Sequence, residues 1–183
     1  MTFKTGAGRQ KLPLRRTVGI LLINRSGKVW IGQRRPRWLP PDAEPIWQMP
    51  QGGIRAGEKP RAAALRELAE ETGITSVEVL AKSRSWITWQ LPDELIGVAL
   101  KGRYRGQRQR WFAMRFVGDD REVSLTPPDG TKPEFDDWRW AKPEEVIALA
   151  IPFRRPVYAA VIKEFASLLQ KRIADPFGSA ASA

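Results

Sequence analysis

The chain contains no cysteine and no histidine. Without cysteine there is no disulfide framework, no thiolate nucleophile and no sulfur-ligated zinc site. Without histidine there is no Ser-His-Asp or Cys-His catalysis, no imidazole base and no histidine-held metal. Acid–base and metal chemistry is left to carboxylates, lysine and tyrosine, and carboxylate oxygens favour hard cations such as magnesium, calcium or manganese. Long apolar runs are missing too. The longest early one, Val18 to Ile23, is far too short to span a bilayer. The basic N-terminal stretch lacks the apolar centre of a signal peptide. These absences predict a soluble, cytoplasmic protein with no membrane partner. Negative charge is the last scarcity: 20 Asp and Glu stand against 31 Lys and Arg, a net charge of +11. Such a surplus points to a polyanionic partner, a nucleic acid, nucleotide or phosphate.

What is present suits one domain. A chain of 183 residues buries roughly 70% of its unfolded surface as a single unit and needs no staple. Its boundaries are read as 12–174, with loose polar tails at 1–11 and 175–183. The apolar run Thr17 to Asn24 ends in Asn24-Arg25-Ser26-Gly27 and predicts a buried strand and a tight turn, with Lys28 to Gln33 returning. Arg35 to Pro45 reads as a loop, and Trp47 to Ile54 as a turn or strand ending. Pro60 to Thr72 reads as a helix with proline near its start and Gly73 as its stop. Val77 to Gln90, Arg110 to Val117 and Trp138 to Ala141 read as strands. Thr126 to Pro133 is a loop and Pro143 to Ala150 a short helix. Pro156 to Ile173 is a longer helix with Val157, Val161, Phe165, Leu168 and Leu169 on one face. Strands before, between and after the helices make the class α/β or α+β with a mixed sheet.

The Pro60–Thr72 helix is two-faced. At about 100° per residue, Glu67, Glu70 and Glu71 share one side, opposite Ala62, Leu65, Leu68 and Ala69. Like charges at i, i+4 cost a few tenths of a kcal/mol, and a shared divalent cation removes that conflict. Gly52 is followed by Glu58, then Arg66-Glu67-Leu68, Glu70-Glu71 and Gly73-Ile74, in the spacing of the complete Nudix box. Those fixed identities coincide by chance on the order of 10⁻⁸ per starting point.

The sequence resembles the Nudix hydrolases. The resemblance implies an α/β/α sandwich with a mixed sheet, and hydrolysis of a nucleoside diphosphate linked to another group by water, assisted by Mg²⁺, Mn²⁺ or another divalent cation. By position it makes Glu70 and Glu71 metal ligands, and Glu67 a ligand or the base for the attacking water. Gly52 and Gly53 would bring backbone close to the metal. Glu58 and Arg66 would brace the loop and helix, and Gly73 would close the motif.

Further segments narrow the likeness. Trp47-Gln48-Met49-Pro50-Gln51-Gly52-Gly53-Ile54, Gly106-Gln107-Arg108-Gln109-Arg110-Trp111-Phe112, Lys132 to Trp140, and Pro152-Phe153-Arg154-Arg155-Pro156-Val157-Tyr158 are similar to bacterial RNA pyrophosphohydrolases. The entry to the box is also similar to plant-type asymmetric diadenosine tetraphosphate hydrolases. This resemblance makes Glu134 a distal metal-binding glutamate. Phe153 would be a base-stacking residue, unless it only staples the helix that follows. Arg34, Gln51, Arg108 and Arg110 would be substrate contacts. Trp111, Phe112, Trp138 and Trp140 are expected in the core or sheet. The implied activity is conversion of 5′-triphosphate RNA ends to 5′-monophosphate, which promotes RNA decay. The alternative is cleavage of diadenosine tetraphosphate to ATP and AMP. No stable DNA complex is expected, and the oligomeric state is open.

Overall fold

The computed structural model describes residues 12–36, 38–40, 42–127 and 130–170, so both expected tails lie outside the described residues. In chain order the strands are β1 (Leu14–Ile23), β2 (Val29–Arg34), β3 (Ile46–Gln48), β4 (Gln51–Gly53), β5 (Val77–Lys82), β6 (Ile87–Gln90), β7 (Gly106–Phe116) and β8 (Asp137–Ala141). The helices are α1 (Pro60–Thr72), α2 (Pro143–Leu149), α3 (Arg155–Glu164) and α4 (Ala166–Gln170). The strands form one open mixed sheet. Helix α1 covers one face and α2 with α3 the other, the α/β/α sandwich that the Nudix resemblance implies. No helix among the described residues is long and apolar enough to cross a membrane.

The spine is β1 running parallel to β7, from Leu14↔Gly106 to Ile23↔Arg115. Strand β2 touches β1 only at Ile23↔Val29 and then turns to pair with β3 and β8. The vacated edge of β1 is taken by β4, with Thr17↔Gly53, Val18↔Gly52 and Gly19↔Gln51. The expected turn or strand ending at Trp47 to Ile54 is therefore two short strands on different partners. The chain crosses between them at Met49-Pro50: Met49 is fully buried, its N–H donates to the Tyr158 hydroxyl (3.1 Å), and Ile20 N–H donates to the Pro50 carbonyl (2.9 Å). This crossing delivers residues 51–53 to the end of α1.

Side chains alternate across the spine. Val18, Ile20, Leu22, Phe112, Met114 and Phe116 face α1, where Ala63, Ala64 and Leu68 are buried. Leu21, Ile23, Trp111 and Ala113 face α2 and α3, against Val146, Val157, Tyr158 and Val161. The buried stripe of α1 is one residue off the reading from spacing, because Ala62 is exposed and Ala63 buried. The expected long last helix is two over its described part: it ends at Glu164, Phe165 leaves helical geometry (φ −101°, ψ 15°) while staying buried, α4 follows, and 171–173 lie outside the described residues. Strand β7 begins four residues earlier than expected, taking in Gly106 to Gln109. Trp111 and Phe112 are core, whereas Trp138 and Trp140 are half-buried.

Candidate active site

Helix α1 aims the carboxylates. Pro60 sits in its first turn, where a missing N–H costs nothing. Gly73 ends it in the left-handed region (φ 73°), its N–H donating to the Ala69 carbonyl. With Ala63, Ala64, Leu68 and Thr72 in the core, Glu67, Glu70 and Glu71 are left toward the loop that precedes the helix.

Arg66 ties that loop to the helix. Its Nε and Nη2 donate to the two oxygens of Glu58 (both 2.8 Å), and Nη2 also to the Gly53 carbonyl (2.8 Å). Its Nη1 donates to Glu67 Oε1 (2.8 Å) and Glu70 Oε2 (2.9 Å). The bidentate Arg66 contact and the Arg55 N–H hold the Glu58 carboxyl down at about 2, and Glu58 in turn raises Arg66. The far oxygen of Glu70 accepts from Arg55 Nη2 (3.0 Å). Gly52 lies against Glu67 so closely that a Cβ there would overlap the carboxyl group.

Glu71 points inward and accepts from the Gln51 N–H (3.0 Å). Burial above all, then the nearby Glu134, pushes its pKa well up, and burial does the same to Glu67 with Arg66 opposing. Glu134 is brought in from the β7–β8 connection. The neighbouring Phe135 is fully buried, packs edge-on to Trp30 (5.3 Å) and lies directly over Gly32, while Asp136 N–H donates to the Gln33 carbonyl (2.8 Å). Glu134 is ion-paired with Arg34.

Glu67, Glu70, Glu71 and Glu134 line one cavity of about 420 Å³ with Pro127, Thr131 and Lys132. Among the described residues no three carboxylates close on one point as they would around a cation, since arginines hold three of them. The donor set fits a hard divalent cation nonetheless. It is all oxygen, and the half-buried Glu71 lines the cavity beside Glu67, Glu70 and Glu134 with one N–H as its hydrogen-bond partner. A second cavity of about 490 Å³ shares Glu67 and Glu70 and adds Arg15, Arg16, Gly53, Arg55, Arg66 and Tyr104.

The other predicted residues separate. Phe153 is half-buried between Trp89 (5.5 Å between ring centroids) and Trp38 (6.5 Å). It is linked to the carboxylates through side chains: Trp89 Nε1–H donates to Gln109 Oε1 (3.0 Å), Gln109 Nε2 to Gln51 Oε1 (3.0 Å), and the Gln51 backbone reaches Glu71. Arg108 and Arg110 line neither cavity and instead surround Trp86. Sequence reasoning missed Arg15, Arg55, Lys132 and Arg154. Arg154, next in the chain to Phe153, is buried with its Cζ 4.8 Å from the Trp89 ring centroid, and it donates to Gln48 Oε1 (3.0 Å). Burial lowers its pKa. Its Nε, Gln48 Nε2 and Arg34 Nε are buried donors with no partner among the described residues.

A carboxylate-lined cavity on a helix and its entry loop, in an open α/β/α sandwich, presents an all-oxygen donor set suited to a hard divalent cation and to phosphate chemistry. The NUDIX domain profile matches residues 13–161, and the chain belongs to the Nudix family. It is 51% identical over 158 residues to a protein of Nitrobacter winogradskyi named RNA pyrophosphohydrolase, covering 86% of this chain and 92% of the relative. Among solved structures it resembles the E. coli dihydroneopterin triphosphate pyrophosphohydrolase (TM-score 0.61, 18% identity, 86% and 99% of the two chains). It also resembles a C. elegans Ap4A hydrolase (TM-score 0.59, 19% identity, 85% and 98%). At such identities these two structures share the fold.

Proposed function

We propose that the protein hydrolyses 5′-triphosphorylated RNA to 5′-monophosphorylated RNA, committing transcripts to decay in the cytoplasm. The observation that carries this is the placing of Glu67, Glu70, Glu71 and Glu134 around one cavity whose surroundings are cationic. The Nitrobacter relative named for that activity supports the choice of substrate. Water attacks a phosphorus atom of the triphosphate, one P–O–P bond breaks, and the departing phosphate oxygen takes the bond's electrons. Glu67, Glu70, Glu71 and Glu134 would hold a divalent cation such as magnesium or manganese, which would supply neutralisation of phosphate charge when bound. The chain's own residues do the placing. Arg66 and the Gln51 N–H fix the direction of the α1 carboxylates. Glu67 serves as a ligand or takes the proton of the attacking water. Lys132 lines the cavity, Arg34 is ion-paired with its Glu134, and Arg15 and Arg55 line the second cavity that shares Glu67 and Glu70; these cations would meet phosphate charge. The unpartnered donors belong to the Gln48–Arg154 pair packed on Trp89, the ring that Phe153 also packs against, and a base would stack on Phe153.

The test compares kcat/KM on triphosphorylated RNA and diadenosine tetraphosphate in one buffer, with Glu70→Gln as the control that removes a metal-holding charge. The expected result is a preference for RNA of at least about tenfold, and no turnover of either substrate by the variant. A preference of that size for the dinucleotide makes the protein a dinucleoside polyphosphate hydrolase instead. Normal rates in Glu70→Gln at saturating metal would overturn the metal site.

A further inference from the structure

Arg16 on β1 stands directly opposite Arg108 on β7 in the parallel register, and Arg110 follows on the same face of β7. Like charges directly opposite on neighbouring strands oppose folding. Here a third is added, and no carboxylate is ion-paired with any of them among the described residues. What they share is one ring. The Cζ atoms of Arg16, Arg108 and Arg110 lie 5.2, 5.3 and 5.0 Å from the centroid of Trp86, which is half-exposed. Of the three, Arg110 is anchored further, donating to the Ser83 (2.7 Å) and Arg84 (3.1 Å) carbonyls. Arg16 also lines the cavity that Arg15 and Tyr104 share with Glu67 and Glu70. A line of cations therefore leads from the carboxylates across the sheet to Trp86, on the opposite face of the sheet from Phe153.

We propose that this face is a track for the RNA chain downstream of its 5′ end, with Trp86 holding the guanidinium groups against its phosphates. The proposal rests on the reading that the substrate is RNA. Repulsion left uncompensated within the fold is relieved by a polyanion, and a dinucleotide that fills the carboxylate cavity has no phosphates to spare for this face. Arginines on a backbone read no sequence, so the track accepts any single strand.

The experiment measures binding of single-stranded 5′-hydroxyl RNA, a tetranucleotide and a dodecanucleotide, across a salt series. Wild type is expected to bind the longer strand more tightly. Arg16→Gln combined with Arg108→Gln is expected to flatten its slope of log affinity against log salt by about 1.4, at roughly 0.7 for each single-strand phosphate that is no longer neutralised. Because that change relieves repulsion, the melting temperature should hold or rise, where a purely structural role would lower it. Trp86→Ala should weaken binding of the dodecanucleotide with partial recovery in Trp86→Phe, and leave kcat on a triphosphorylated dinucleotide near wild type. An unchanged salt slope in the double variant, or equal affinity for both strands, overturns the track. These RNAs carry no 5′ phosphate, so the result is independent of turnover. Failure to hydrolyse triphosphorylated RNA overturns the activity alone, and an unchanged slope overturns the track alone.

Discussion

Arg66 and Arg16 border the same cavity and are opposite kinds of arginine. Arg66 spends its guanidinium on Glu58, Glu67, Glu70 and the Gly53 carbonyl, and its side chain is 18% exposed. Arg16 is exposed and shares an aromatic ring with two other cations. A guanidinium whose donors are all engaged inside the fold has none left for phosphate. The contrast divides the cavity into a wall that fixes carboxylates and a wall that keeps positive charge for a ligand. Arg154 is a third kind: buried, bonded to Gln48, stacked on Trp89 and still holding an unpartnered Nε. Position along the sequence does not separate such kinds: buried Arg154 is followed directly by exposed Arg155, which donates to the Ala148 and Ala150 carbonyls.

The largest effect is expected where the fixed wall is broken. Arg66→Ala leaves Glu58 and Glu67 without their ion-pair partner and Glu70 with Arg55 alone. Removing one partner of this half-buried cluster should cost less than the about 3–5 kcal/mol of a fully buried pair, a fall in Tm of several degrees. Turnover should vanish with it, because Glu67 and Glu70 no longer have a fixed direction. Arg66→Lys should recover little, since a single ammonium cannot hold both oxygens of Glu58 and the Gly53 carbonyl together. A calorimetric melt and kcat/KM on the same preparation check this. A variant that melts and turns over like wild type would erase the distinction between the two walls.

A middle effect is expected at Phe153. Base–aromatic stacking is worth about 1–3 kcal/mol, and loss of about 2 kcal/mol cuts kcat/KM roughly thirtyfold. Phe153 also packs against Trp38 and Trp89, so Phe153→Ala leaves a gap beside Arg154. The expected outcome is a raised KM and a slower reaction with metal affinity unchanged. A clearly lower Tm with wild-type activity per folded molecule would make Phe153 a staple for α3 and nothing more.

The parts of this architecture legible in the sequence are those with local causes. The ends of α1 follow from Pro60 and Gly73, and the four box glutamates with Arg66 follow from spacing within one helix and its loop. Glu134 and Phe153 are reached through resemblance alone. Strand β7 extends four residues beyond its apolar pattern because Gln107 and Gln109 are buried polar residues, satisfied by Thr17, Trp89 and Gln51 rather than by apolar contact. Periodicity detects apolar burial and is blind to that kind. The two strands in residues 46–53 depend on β2 parting from β1, a non-local event. The break at Phe165 carries neither glycine nor proline, so no local signal marks it. Arg15 enters the cavity through the pairing of β4 with β1, and nothing in its own neighbourhood announces this.

The smallest effect, and the one that sharpens the comparison most finely, is in the acid limb of stability. Glu58 is held at about 2 in the folded protein against an ordinary 4.5, first by its hydrogen bonds from Arg66 and then by the Arg55 N–H. A carboxyl lowered on folding contributes stability that is fully present above its unfolded value and is lost as pH falls through the folded one. For Glu58 that window runs from about 4.5 down to about 2. Wild type should therefore lose stability to denaturant across this window more steeply than Glu58→Gln, which has no proton to take up there. Asp119 and Glu122 are also lowered, and Glu67 and Glu71 are raised, but all four are common to both proteins. The difference in slope thus isolates the carboxyl that Arg66 holds. Arg16→Gln is the matching control for the free wall: Arg16 has no carboxylate to release, so its acid limb should run parallel to wild type. Parallel limbs for all three proteins would mean that Glu58 is not clamped, and an altered limb in Arg16→Gln would mean that the free wall has an acidic partner of its own.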